Sequence, residues 1–215
     1  AVSEVHYRPG SPSADEIAAG YNSRGDFEFI ELLNLGPMPV DLSDVVFGNG
    51  IDFNFDRDSE IFELAPGERI LIVKNPAAFE FRHGPGLPVA GIFQNDTNLS
   101  NGGENITLIN RSTGETIQNF SYSDTSPWPE AADGHGYSLT LASAATATDL
   151  ADPLNWRASR EVGGSPGTGD GIALADWLDA HDLVTGQEQS DLDHDGLSAL
   201  LEYAVGGDPR DPSDS

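Results

Sequence analysis

Apolar residues fall in short alternating runs over the first 142 positions and take up helical spacing only near the end of the chain. Residues 2–7 alternate and predict a first strand. Residues 8–24 are polar, with Pro9, Gly10, Pro12 and Gly20, and predict a long surface loop. Residues 27–33 predict a strand with Phe27, Phe29 and Glu31 on one face and Glu28, Ile30 and Leu32 on the other. Gly48-Asn49-Gly50 marks a hairpin or bulge between runs 45–47 and 51–55. In the second run Ile51, Phe53 and Phe55 point one way, Asp52 and Asn54 the other. A turn at 64–68 leads to a buried strand at 69–74, and 76–82 suits a short helix with Pro76 in its first turn. Further strands are predicted at 105–109, 116–122 and 137–141, with turns at 98–103 and at Thr113-Gly114. Many short strands at regular spacing predict an antiparallel β-sandwich, so the chain is mainly β.

The pattern changes after residue 164. Ser165-Pro166-Gly167-Thr168-Gly169 reads as a flexible linker, taken over 165–171. Ile172, Ala175, Trp177 and Leu178 then recur at helical spacing over 172–181. Leu197, Leu200, Leu201, Ala204 and Val205 predict a second amphipathic helix, which Gly206-Gly207 stops. The expected division is a sandwich over 1–164 and a small C-terminal helix–loop–helix over 172–215. Such a tail is too small to build a core without a staple.

The staple is legible between the two helices. Asp191, Asp193, Asp195, Gly196 and Glu202 give D-x-D-x-D-G-x5-E, the spacing of an EF-hand calcium loop. Calcium takes six to eight oxygens at about 2.3–2.6 Å. Carboxylates at loop positions 1, 3 and 5, the carbonyl of Leu197 at position 7 and a bidentate Glu202 at position 12 would supply them, while Gly196 permits the reversal. With 36 acidic residues and 24 glycines in 215, chance gives this pattern somewhere in the chain on the order of 10⁻³ of the time. Position 8 is Ser198 rather than the usual apolar residue, which favours a lone structural loop over a paired sensor.

Composition narrows the function. The formal net charge of −26 repels phosphate backbones and argues against nucleic acid as the main partner. The absence of Cys excludes disulfides, a thiolate nucleophile and a Cys-based zinc site. No apolar run approaches the length of a membrane helix. A start at Ala1, without Met or a leader, is expected of a mature or excised piece of a larger protein. Sequons at Asn95, Asn98, Asn105, Asn110 and Asn119 read more simply as Asn- and Thr-rich strand sequence than as glycan acceptors.

Taken in order, Ser3-Glu4-Val5, the run 27–34, residues 40–43, Leu64-Ala65-Pro66-Gly67, residues 99–104 and residues 119–124 resemble a bacterial lamin tail domain. Trp128-Pro129, Ala132-Asp133-Gly134, Tyr137-Ser138-Leu139 and residues 155–159 continue the likeness to about residue 167. The resemblance implies an immunoglobulin-like β-sandwich and a non-catalytic module attached to secreted or surface proteins and exported hydrolases. The tail from Asp191 to Pro212 is similar to thrombospondin type 3 and other EF-hand-like repeats, which implies that Asp208 or Asp211 adds a ligand or opens a further repeat.

Nothing assembles for catalysis. The five histidines (His6, His83, His135, His181 and His194) show no metal-pair spacing, His194 lies at loop position 4, and neither G-x-S-x-G nor a phosphate-binding glycine loop occurs. Glu31, on a strand face that should be buried, is expected to be a hydrogen-bonded structural residue, with a second cation site as the sharper alternative. The expected function is adhesion or protein interaction and positioning in a secreted or cell-surface protein, with Ca2+ in the tail and an unknown protein or surface glycan as partner. The alternative is a carbohydrate-binding module of an exported hydrolase, for which Trp128 and Tyr122 are the candidate rings.

Overall fold

The structure, a computed structural model, describes residues 1–142, 149–170, 178, 181–205 and 209–212. It contains two compact units, Ala1–Asp170 and Gly171–Ser215.

The first unit is an immunoglobulin-like sandwich. Its strands are β1 (Val2–His6), β2 (Phe29–Leu33), β3 (Val40–Asp41), β4 (Val45–Asn49), β5 (Glu63–Leu64), β6 (Arg69–Val73), β7 (Val89–Ile92), β8 (Gly103–Asn110), β9 (Thr116–Ser123), β10 (Leu139–Leu141) and β11 (Trp156–Ala158). Six of them form one sheet in the order β11-β10-β1-β2-β6-β7, three form a second, β4-β8-β9, and β3-β5 make a small ribbon. One apolar cluster unites Val5, Ile30, Ile72 and Leu139 of the large sheet with Phe47, Ile106, Leu108 and Phe120 of the small one. Trp156 stacks on Phe120 at 5.4 Å.

The pairing is antiparallel except between β6 and β7. A parallel neighbour needs a crossover, and helix α3 (Pro76–His83) provides it between β6 and β7. Pro76 opens this helix, as the sequence predicts, and Asn75 caps it.

Three local readings differ. Within 8–24, helix α1 (Ala14–Ala18) forms where a loop is expected. Ser13 and Glu16 make a reciprocal capping box, Glu16 N donating to Ser13 Oγ and Ser13 N to Glu16 Oε2. In 51–55 the apolar side chains are buried as predicted, yet the segment pairs only through isolated bridges. Asn54 instead caps a one-turn helix, α2 (Phe55–Asp58). The third is the stretch read as a linker: Ser165 N and Oγ donate to Glu4, and Gly167 N donates to Glu31 Oε2, so 165–170 is bound to the sandwich. Arg157 pairs with Asp170 and closes this strap.

The strap exists because the large sheet is covered on both faces. The outer face carries Glu4, His6, Phe29 and Glu31, all at most 1% exposed. Part of it packs under α3, where Phe29, Leu71, Val73 and Phe79 form a second apolar cluster. Glu31 is the hydrogen-bonded structural residue expected: Ser3 Oγ (2.6 Å), Arg69 Nε (3.1 Å) and Gly167 N (2.7 Å) all donate to it. Burial pushes Glu31 up to about 7 and Glu4 upward, against the pull of those donors. Gly164, at φ +88, admits the strap, since a Cβ there would lie 2.3 Å from Glu4 Oε1.

Helix α1 is fixed to α3 by Arg82, whose Nε and Nη2 donate to Glu16 at 2.7 and 3.0 Å and whose guanidinium lies 3.4 Å over the Phe27 ring. The bond to Arg82 holds the Glu16 carboxyl down at about 2. A carboxylate held low in the fold stabilises above its ordinary range, and that contribution is lost as pH falls through its folded value. Glu16→Ala is therefore expected to cost about 1–2 kcal/mol at pH 7, between the values for exposed and buried pairs. The gap between wild type and variant in urea melts should close as pH falls from 4.5 toward 2.

Candidate metal centre

The second unit is held by a small apolar cluster of Leu178, Leu183 and Ala199 with Leu192 and Tyr203 against it. The predicted first helix, with Ile172, Ala175 and Trp177, lies outside the described residues apart from Leu178 and His181. The second is present as α4 (Ala199–Val205). It begins two residues later than its apolar pattern, and Leu201 is 50% exposed. Ser198, at the position before α4, receives the first-turn amides of Leu201 and Glu202 on its carbonyl.

The acidic loop lies between two fixed ends. Ala199 N donates to the Ser190 carbonyl at 2.9 Å and Leu200 N to that of Glu188 at 2.7 Å, so the chain leaves the loop beside where it entered. Inside, the aspartates fold the backbone around themselves. Asp191 Oδ1 accepts from His194 N (2.8 Å) and its Oδ2 from Gly196 N (3.2 Å). Asp193 Oδ1 accepts from Asp195 N, and Asp195 Oδ1 from Leu197 N at 2.7 Å. His194 and Gly196 take positive φ, 69° and 102°, and make the reversal.

The result brings together three of the five predicted ligands. Carboxylate oxygens of Asp191, Asp193 and Asp195 lie within 4.8 Å of one another. The second oxygens of Asp193 and Asp195 are shielded from solvent and accept no hydrogen bond. Glu202 is fully buried on the first turn of α4 but stands outside that close group. Leu197 is half-buried, its amide committed to Asp195. His194 is exposed, as its loop position predicts. Asp208 lies outside the described residues, and the exposed Asp211 does not join the three aspartates. The backbone clamps at 188–190 and 199–200 are what sequence reasoning missed, because carbonyl and amide pairing leaves no mark on side-chain identity.

The fold defines an immunoglobulin-like β module with a small acidic appendage. Residues 1–124 match the Lamin Tail Domain family, and the chain belongs to it. Lamin tail domains are generally non-catalytic protein-interaction modules. No curated protein and no solved structure matches the chain. Among the described residues no helix is long and apolar enough to cross a membrane.

Gly196 has open space where a Cβ would be added, so a side chain there meets only backbone strain. Gly196→Ala should destabilise the loop by about 1 kcal/mol. Faster amide exchange at Ala199 and Leu200, with the sandwich unchanged, is the expected signature.

Proposed function

We propose that the chain is a non-catalytic interaction module of a secreted or cell-surface protein, serving adhesion or the positioning of a larger protein, with a structural Ca2+ in its tail. The ligands are Asp191, Asp193, Asp195, the carbonyl of Leu197 and Glu202. The convergence of the three aspartates carries the metal reading. Holding three negative charges within 4.8 Å costs about 1 kcal/mol per pair even in water. A hard dication reverses that sign and uses the shielded Asp193 and Asp195 oxygens as ligands. Glu202, buried on the first turn of α4, would supply the position-12 carboxylate. Calcium then joins the loop to α4 and supplements the apolar cluster that Leu178, Leu183, Ala199, Leu192 and Tyr203 form among the described residues.

A loop of this kind suits the calcium concentrations outside cells, where modules bind with Kd of about 10⁻⁴–10⁻³ M. That supports the extracellular reading, as does the acidic composition. The carbohydrate alternative loses its candidate rings: Trp128 is 9% and Tyr122 2% exposed. Tyr122 is tied to the Ser100 carbonyl by its hydroxyl, and Trp128 lies against Trp156.

Calorimetric titration with calcium is expected to show one site at about 0.1–1 mM. Asp191→Ala should remove the heat, as well as the roughly 2–3 kcal/mol by which saturating calcium stabilises the tail. Wild type showing neither heat nor stabilisation at 10 mM calcium would sink the metal assignment.

A further inference from the structure

One end of the sandwich is open and apolar. A cavity of about 160 Å³ lies between the sheets there, lined chiefly by Leu32, Leu42, Val45, Leu64, Leu108 and Ile117. That is the size of cavity that stays dry when lined by aliphatic side chains and that takes a benzene-sized group. Five large apolar residues are exposed at this end or beside it: Leu35 (47%), Met38 (69%), Val40 (41%), Phe62 (43%) and Ile117 (54%). They include the chain's single Met and lie on the β2–β3 turn, on β3, just before β5 and on β9, so they belong to neighbouring segments rather than being scattered singly.

The ribbon roofs the cavity. Val40 stands opposite Leu64 and Asp41 opposite Glu63. By strand alternation Val40 and Leu64 share one face, which lines the cavity, and Asp41 and Glu63 share the other. Asn34 holds the arrangement, its amide donating to the carbonyls of both Met38 and Leu64 at 2.8 Å. Two strands of two residues form a marginal sheet by themselves. Directly opposed carboxylates weaken it further. Glu115, two residues before Ile117, adds a third exposed acid at this end. Of the cations at this end, Arg69 is taken up by Glu31, and the Ala1 ammonium at the cavity wall is bound to the Leu33 carbonyl at 2.8 Å.

We infer that this end of the sandwich is a docking site for a basic segment of a partner protein, which seats one apolar side chain in the cavity. The inference rests on the interaction-module reading and gives it a surface. Cavity volume sets the anchor at one aliphatic or aromatic side chain. The exposed rim continues past the cavity mouth, which suits a polypeptide better than a small molecule. The paired Asp41 and Glu63, with Glu115, set the sign of the flanking charge, and a lysine or arginine between the opposed carboxylates turns their repulsion into attraction.

The probe is the pentapeptide acetyl-Lys-Lys-Leu-Lys-Lys-amide, titrated into the full chain carrying labelled methyl groups at physiological salt. Saturable shifts are expected at the methyls of Leu32, Leu42, Leu64 and Ile117. Binding should weaken about tenfold when the central Leu is replaced by Ala, and vanish when the lysines become glutamates. Ile117→Ser, at an exposed position, should weaken binding several-fold, and Leu154→Ser, exposed elsewhere, should leave it unchanged. Binding indifferent to the central residue would reduce the effect to the chain's overall charge and overturn the proposal. Methyl shifts that follow protein concentration without peptide would assign the surface to a second copy of the chain and overturn it equally. A partner that binds while these methyls stay still would leave the interaction module standing and remove only this surface.

Discussion

A sheet covered on both faces cannot carry carboxylates without donors for them, and the rest of the sandwich is arranged around that constraint. Glu4 and Glu31 sit side by side on the outer face of the large sheet, paired across β1 and β2. Between them they accept from Ser138, Ser165, Ser3, Arg69 and Gly167. Two of those five residues belong to the strap at 165–170. Without it, Glu4 would keep only Ser138 and Glu31 only Ser3 and Arg69, and each would lose the strap amide that faces it, a loss of about 1–3 kcal/mol for each acid. The strap is therefore part of the domain and fixes where the sandwich ends. Glu16 and Arg82 do the same on the other flank, tying α1 to α3 over the same sheet.

Much of this was legible in the sequence. The alternation at 2–7 and 27–33 and the continuous apolar run at 69–74 give the strands their places because pattern and burial coincide there. The alternation also puts Glu31 on a covered face. What covers that face is not written in periodicity. Ser165-Pro166-Gly167-Thr168-Gly169 looks like a linker because glycine suits a flexible chain, yet the same glycines suit a close approach to buried oxygens, and only Glu4 and Glu31 decide between the two. The helix at 14–18 could have been read from Ser13 and Glu16, a capping box standing in a polar stretch. The bend at Asn54 is harder, since its side chain competes with the strand for the backbone of Asp56 and wins locally.

The two units use different physics. The sandwich buries a large contiguous core and keeps its charged groups satisfied internally. Among its described residues the tail has a five-residue apolar cluster and gathers three aspartates, a configuration that favours a cation. The convergence of the aspartates was legible for a reason that does not apply to the strap: it depends on which side chains stand at which spacing, whereas amide donors can come from any residue. The exposed apolar end thus lies on the sandwich and the cluster of three aspartates on the tail.

The claim that buried carboxylates make the strap an integral part of the sandwich is tested most directly by amide hydrogen exchange at Ser165 and Gly167. The account predicts slow exchange at both amides, in the range of their neighbours in β2. Exchange as fast as in a free glycine-rich segment, with β2 still protected, would contradict it.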